Sequence, residues 1–154
     1  MKGLIFFALV SAQLSSTSAG ASEATKLGRT VWAGFTCATY AELSKQSEEQ
    51  RRLFGLAHDA GVKLVDGLLD QTITPKDLSD TPIAVTSRLQ GPNADFIVGR
   101  IFEAAMNEAF DNVVKRDAGG SEIKDPAHWV MEPATRELDA RIKFQNANCE
   151  LVGR

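Results

Sequence analysis

Catalytic and cofactor-binding motifs are scarce in this chain. It has two histidines and two cysteines, with no Cys-x-x-Cys pair and no zinc-ligand spacing. No G-x-S-x-G elbow is present, and the turn GPNADFIVG lacks both the P-loop lysine and the dinucleotide-binding pattern. These absences weaken the case for an enzyme and predict no cofactor and no metal. They do not close that case, because catalytic triads assemble across a fold.

Blocks of like charge are also missing. The formal net charge is −3, and removing the first 21 residues, which contain Lys2 and no acidic residue, makes it −4. Mild acidity of this kind argues against nucleic acid as the main partner and gives no signal for an anionic membrane surface. No apolar run approaches the roughly 20 residues of a membrane helix, so we expect no membrane insertion once the leader is removed.

The first 21 residues have the pattern of a secretory signal peptide. Lys2 precedes the short apolar run 3–10, and Ala19-Gly20-Ala21 fits a small-x-small cleavage site. The alternative is an N-terminal core helix. A cleaved signal peptide predicts a periplasmic or secreted protein.

The two cysteines lie far apart, Cys37 near the start of the mature chain and Cys149 near its end. An even number of cysteines in an exported chain predicts one disulfide bond. Two buried free thiols are the alternative. A bond would close most of the mature chain into one loop.

The stretch between Gly91 and Gly120 predicts one long amphipathic helix. Pro92, Asn93 and Asp95 are start signals, and the two glycines at 119 and 120 stop it. Its apolar residues recur at helical spacing in a wide stripe: Val98, Phe102, Ala105, Ala109 and Val113, broadened by Ile97, Ile101, Met106 and Phe110. A stripe this wide needs other helices to cover it.

The remaining segments predict one more long helix and three shorter ones. Residues 22–35 are interpreted as a lead-in before a single domain over 36–154, in which Thr36 caps a short helix reaching Ser44. Ser47, with Gln50 as a capping-box partner, begins the second long helix. Pro82 begins a short helix. No stretch alternates with period two, so the predicted fold class is an all-α bundle of about five helices, closed by one disulfide.

Two finer expectations concern packing. Gly55, Gly61 and Gly67 each cost about 1 kcal/mol inside a helix, which close approach of the central helix, with its Gly99, would offset. In the last helix, which begins at Pro133, the predicted inward stripe is narrow and consists of Ala134, Leu138 and Ile142, with Phe144 as a second contact edge.

Candidate functional residues give weak signals. His58-Asp59 lies at the edge of an apolar stripe, where the ring is expected to pack, and neighbouring helical residues diverge too much to form a hydrogen-bonded dyad. Glu108 and Asp111 share a helix face with basic neighbours, as in a solvated, ion-paired surface. The remaining binding candidates are aromatic or loop residues that could border a partner or a pocket: Trp32, Asn93, His128 and Trp129.

The helical plan with a single disulfide resembles two groups of periplasmic proteins, the acid-stress chaperones and the type VI secretion immunity proteins. The resemblance is one of architecture, and it implies no site residue. The leading hypothesis is an exported protein, not an enzyme, that binds another protein as an inhibitor, immunity protein or chaperone. The alternatives are a small-ligand carrier with a cavity between helices and a hydrolase that uses a histidine and a carboxylate. The oligomeric state stays open.

Overall fold

The structure is a computed structural model that describes residues 22–117 and 119–154. The predicted signal peptide lies outside these residues. The described part contains five α-helices and no β-strand, which confirms the all-α class. The helices are α1 Glu23–Leu43, α2 Ser47–Leu69, α3 Ile83–Thr86, α4 Ala94–Val114 and α5 Pro133–Asn146, with short 3-10 turns at Pro75–Leu78, Pro126–His128 and Cys149–Leu151.

Helix α1 begins much earlier than predicted, and the lead-in over residues 22–35 is wrong. The Ser22 hydroxyl accepts the Thr25 backbone N–H at 3.0 Å, which caps the helix, and it donates to the Asp77 carbonyl at 2.7 Å. Thr36 therefore lies inside α1, and Cys37 lies near its middle. The bundle has three long helices because α1 is 21 residues long.

The other predicted helix ends are close to the observed ones. Asn93 caps α4 by accepting the Phe96 N–H at 2.9 Å, and Pro82 directly precedes α3. Helix α2 begins at Ser47 as predicted, but its N-cap is Gln46 and no side-chain capping bond forms there. The predicted Ser47 capping box is therefore wrong.

Close helix approach occurs at fewer glycines than predicted. A Cβ on Gly61 would lie 2.8 Å from Val98 of α4, so this glycine does permit contact with the central helix. A Cβ on Gly34 of α1, which the sequence did not single out, would lie 2.8 Å from the Cβ of Ala57. Gly55 and Gly99 have open space around them, and close approach does not explain their presence.

The core falls into two neighbouring groups of buried residues. One group joins α1, α2, α3 and α4 and includes Phe35, Leu64 and Ile101. The other joins α1, α4 and Leu53 of α2 to α5 and contains the disulfide. The three long helices α1, α2 and α4 contribute to both groups, so they hold the fold together.

The predicted disulfide between Cys37 and Cys149 is confirmed. Both residues are buried, and their Cα atoms lie 5.5 Å apart. Arg52 of α2 holds the same C-terminal turn, since its guanidinium donates to the Val152 carbonyl at 2.8 Å and to the Cys149 carbonyl at 3.3 Å. Arg52 therefore anchors the C-terminal turn to α2.

Helix α5 does not dock through the predicted stripe. Phe144, predicted as a second contact edge, is buried together with Ala140, whereas Leu138 and Ile142 of the stripe are 57% and 43% exposed. The predicted stripe lies about 200° around the helix from the buried one, because each residue advances about 100°. An ion pair of 2.9 Å between Lys45 and Glu137 also ties α5 to the end of α1.

None of the helices in the described ranges is both long and apolar enough to span a bilayer.

Candidate functional site

The four binding candidates from the sequence do not come together in the structure. Asn93 and Trp129 lie near opposite ends of α4, which spans about 30 Å at 1.5 Å per residue. Asn93 is used as a helix cap, and Trp32 is half-buried against the first core group. Trp129 is also half-buried, with its indole N–H donating to the Ile123 carbonyl at 3.0 Å, so three of the four have structural contacts.

The histidines lie on the surface. His58 stacks on the Phe54 ring, with centroids 6.3 Å apart, which agrees with the expected ring packing. Its Nδ1 lies 3.5 Å from an Asp59 carboxylate oxygen. The Nδ1 atom of His128 lies 3.8 Å from a carboxylate oxygen of Asp125, and the His128 side chain is 78% exposed. In the described ranges neither imidazole has a hydrogen-bonded serine or threonine hydroxyl that it could activate.

The carboxylates on α4 form no cation site. Asp111 pairs with Lys115 at 2.6 Å, as expected for a solvated helix face. Throughout the described chain, no cluster of three or more histidine, cysteine, aspartate or glutamate residues is arranged to hold a metal ion.

An exposed aromatic cluster joins α1, α2 and α4. Phe35, Phe54 and Phe102 contact one another, with ring centroids 5.2–5.5 Å apart, and His58 extends the cluster along α2. Phe35 is fully buried, but Phe54 is 41% exposed. The cluster thus has an inner part that anchors it and an outer part in contact with solvent, an arrangement typical of protein-binding surfaces.

An apolar groove continues from this cluster between α1 and α4. Its volume is about 380 Å³, and its lining is mainly apolar: Thr39, Glu42, Leu43, Met106, Asn107 and Phe110. Leu43, Met106 and Phe110 are only half-buried, so the groove already presents apolar surface to solvent. We call these six residues the α1–α4 groove.

Helical spacing explains how the cluster and the groove become one surface. On α1, Phe35, Thr39 and Leu43 are four residues apart, and so are Phe102, Met106 and Phe110 on α4. Residues at this spacing lie above one another on a helix. The rings of Phe35 and Phe102 are in contact, and the residues that follow them in each stripe line the groove. The two stripes therefore run side by side in the same direction.

Two glycines with open space around them flank the aromatic cluster. Gly55 follows Phe54 on α2, and Gly99 lies one turn before Phe102 on α4. A Cβ at either position would meet nothing within 4 Å. Each glycine costs about 0.5–1 kcal/mol relative to alanine, and the fold gives no packing reason for it. Their effect is to leave the backbone beside the cluster open to close approach.

The groove has one charged residue, and a hydrogen bond between α1 and α4 lies close to it. Glu42 is exposed at its edge, and it takes part in none of the ion pairs formed within the described ranges. Behind the groove, the Asn112 amide donates to the Tyr40 hydroxyl at 3.4 Å and links α4 to α1. Burial raises the pKa of this hydroxyl above its usual range, an effect that the Asn112 hydrogen bond opposes.

The sequence prediction missed this site for an identifiable reason. Phe102 was assigned to the main apolar stripe of α4, and Met106 and Phe110 were assigned to its broadened edges, so all three were expected in the core. The signal available in the sequence was a stripe wider than one neighbouring helix can cover.

Comparison of the chain with known protein families, with curated proteins and with solved structures finds no match.

Proposed function

We propose that this protein acts outside the cytoplasm by binding another protein, and that the α1–α4 groove with its aromatic cluster is the binding surface. The observation that carries the proposal is the open apolar groove, continuous with half-exposed phenylalanine rings. The disulfide and the leader-like N-terminal sequence support action in an oxidising compartment.

The open shape of the groove favours a segment of a protein over a small molecule as its ligand. Ligand carriers bury most of the surface of their ligand in a largely closed pocket. The groove is open along its length and is shaped by two helix stripes, as in proteins that receive an amphipathic helix. The bound segment would present apolar side chains to Met106 and Phe110 and a basic residue to Glu42.

The surface favours a dedicated partner, as in an inhibitor or immunity protein, over a general chaperone. Its anchor residues are phenylalanines fixed by contact with one another, and fixed aromatic anchors are typical of interface hot spots. General chaperone surfaces rely on flexible side chains that can repack around many partners.

A site-specific photocross-linking experiment tests the proposal. The photoreactive residue p-benzoylphenylalanine replaces Met106 in the groove, or Leu138 on the exposed side of α5 as a matched control. We expect one discrete adduct from position 106 and none of the same mass from position 138. The cross-linked protein is then identified, purified and titrated by calorimetry.

The titration gives the decisive result. Met106→Glu should weaken binding at least tenfold, because it places a charge in an apolar contact, whereas Leu138→Glu should leave the affinity unchanged. Equal adducts from both positions, no adduct at all, or unchanged affinity of a folded Met106→Glu variant would refute the proposal.

A further inference from the structure

A second, polar pocket adjoins the α1–α4 groove on the other side of Asn107. Its volume is about 240 Å³, and it is lined by Arg88, Arg100, Glu103, Ala104 and Asn107. Asn107 lines both concavities, so they share one wall. The pocket joins the segment after α3 to the first half of α4.

Both guanidinium groups are held in place by neutral oxygen atoms. Arg88 donates to the Ala84 carbonyl at 2.7 Å and to the Ser87 hydroxyl at 3.2 Å. Arg100 donates to the Gln90 carbonyl at 2.6 Å, and its guanidinium carbon lies 5.9 Å from the centre of the Phe96 ring. These contacts fix each guanidinium and leave its remaining N–H groups available.

The positive charge in the pocket is not neutralised locally. Within the described ranges, the ion pairs do not include Arg88, Arg100 or Glu103. Two guanidiniums and one carboxylate leave one net positive charge in the lining. A monoanion would balance that charge, whereas a phosphate dianion would over-compensate it and be repelled by Glu103.

We propose that this pocket binds a carboxylate group, and that the carboxylate is an acidic side chain of the protein that fills the α1–α4 groove. This inference rests on the proposed function and adds the partner's chemistry, an acidic residue next to its apolar segment. Arginine suits this role, because its planar group donates two parallel hydrogen bonds to a carboxylate. The Asn107 amide can supply a further donor.

The anion site is tested without the partner. Sodium acetate is titrated into the ¹⁵N-labelled, disulfide-bonded protein at constant ionic strength, and the arginine Nε–Hε signals are followed by NMR. We expect the Arg88 and Arg100 signals to shift together and to saturate in the millimolar range or above, while the signal of exposed Arg141 does not saturate. Arg88→Gln should weaken the response at Arg100 severalfold.

Three outcomes would overturn the inference. Shifts at Arg88 and Arg100 that are as linear as those at Arg141 would show a diffuse ion atmosphere and no site. Tighter binding of inorganic phosphate than of acetate would exclude the carboxylate assignment. Unchanged partner affinity in the Arg88→Gln variant, with a normal acetate site in the wild type, would exclude the partner as the source of the carboxylate.

The two proposals fail in distinguishable ways. Met106→Glu should leave the acetate site saturable, with only the small loss of affinity that a nearby negative charge causes, because this residue lines the groove and not the arginine pocket. A normal acetate site together with a failed groove experiment would therefore refute the proposed function alone.

Discussion

Replacing Cys37 and Cys149 with alanine removes the covalent link between the middle of α1 and the C-terminal turn. The two residues are 112 positions apart. In the chain-entropy treatment, a loop of that length corresponds to about 4.8 kcal/mol of lost stabilisation. Measured losses for native disulfides run from roughly 2 to 5 kcal/mol, so this value lies near the upper end. Alanine is chosen because serine would leave buried hydroxyls.

The predicted change in melting temperature follows from the size of the domain. A domain of about 130 residues unfolds with an entropy of about 0.27 kcal/mol per kelvin, so a loss of about 4.8 kcal/mol lowers Tm by about 18 °C and a loss of about 2 kcal/mol by about 7 °C. Circular dichroism melting of the wild type and of the double variant measures this shift. Reductant should lower the wild-type Tm by a similar amount and leave the double variant unchanged.

The same variant should loosen one part of the fold more than the others. Helix α5 buries only Ala140 and Phe144, whereas α1, α2 and α4 share the larger core. Hydrogen exchange should therefore accelerate first in α5 and in the Cys149–Leu151 turn. A Tm shift below about 5 °C, or equal acceleration in all helices, would refute the reasoning.

Three further predictions concern single side chains. Gly99→Ala should raise the unfolding free energy by about 0.5–1 kcal/mol. Gly61→Ala should lower it, because the new Cβ would lie 2.8 Å from Val98. Urea unfolding measures both changes, and stabilisation by both variants would contradict the packing at Gly61. Arg52→Gln should cost roughly 2 kcal/mol in the same assay, because two carbonyls of the C-terminal turn lose their charged donor, and a loss below about 0.5 kcal/mol would show that the donor is dispensable. The hydrogen bond from Arg52 lowers the pKa of Glu49 in the folded state. The stabilisation that Glu49 contributes is therefore complete above its ordinary pKa of 4.5 and is lost as the pH falls through the lowered pKa. Glu49→Gln should flatten the fall in Tm below about pH 4.5, and an unchanged dependence of Tm on pH in that range would contradict this.

The elements predicted correctly are those whose signals are local. The Asn93 cap, the α4 helix with the buried centre of its stripe, and the start of α2 are contained within a few turns of chain, and the structure confirms them. The start of α1 was missed although its Ser22 cap is local, and the other contacts that hold this first part of the helix are distant. Ser22 bonds to Asp77, 55 positions away, and Gly28 lies against Thr81 of the same connector.

The orientation of α5 shows where periodicity fails. Leu138 and Ile142 are as apolar as the residues that became buried, and spacing alone cannot choose between the two faces. The rotation is set by contacts elsewhere in the chain. The disulfide just after the helix holds its end against α1, on the side where Ala140 and Phe144 are buried, and the Lys45–Glu137 ion pair lies at the surface beside it.

The candidate site could not be predicted for a related reason. Whether Phe54 or Met106 is covered depends on how far apart the neighbouring helices lie at that level, and a stripe pattern contains no such information. The arginine pocket needs the segment after α3 to lie against α4, which sequence spacing between Arg88 and Arg100 does not imply.

The disulfide and the groove are physically connected through α1. Cys37 lies half a turn before Thr39 on the same helix, and Leu43 follows one turn later. A covalent link at Cys37 restrains the helix that forms one side of the groove, and a binding surface that is already ordered loses less conformational entropy when a partner docks. Gly55 and Gly99 beside the aromatic cluster act in the opposite direction on stability, because each weakens its helix. The disulfide offsets this loss at a position away from the proposed binding surface, since both cysteines are buried in the second core group.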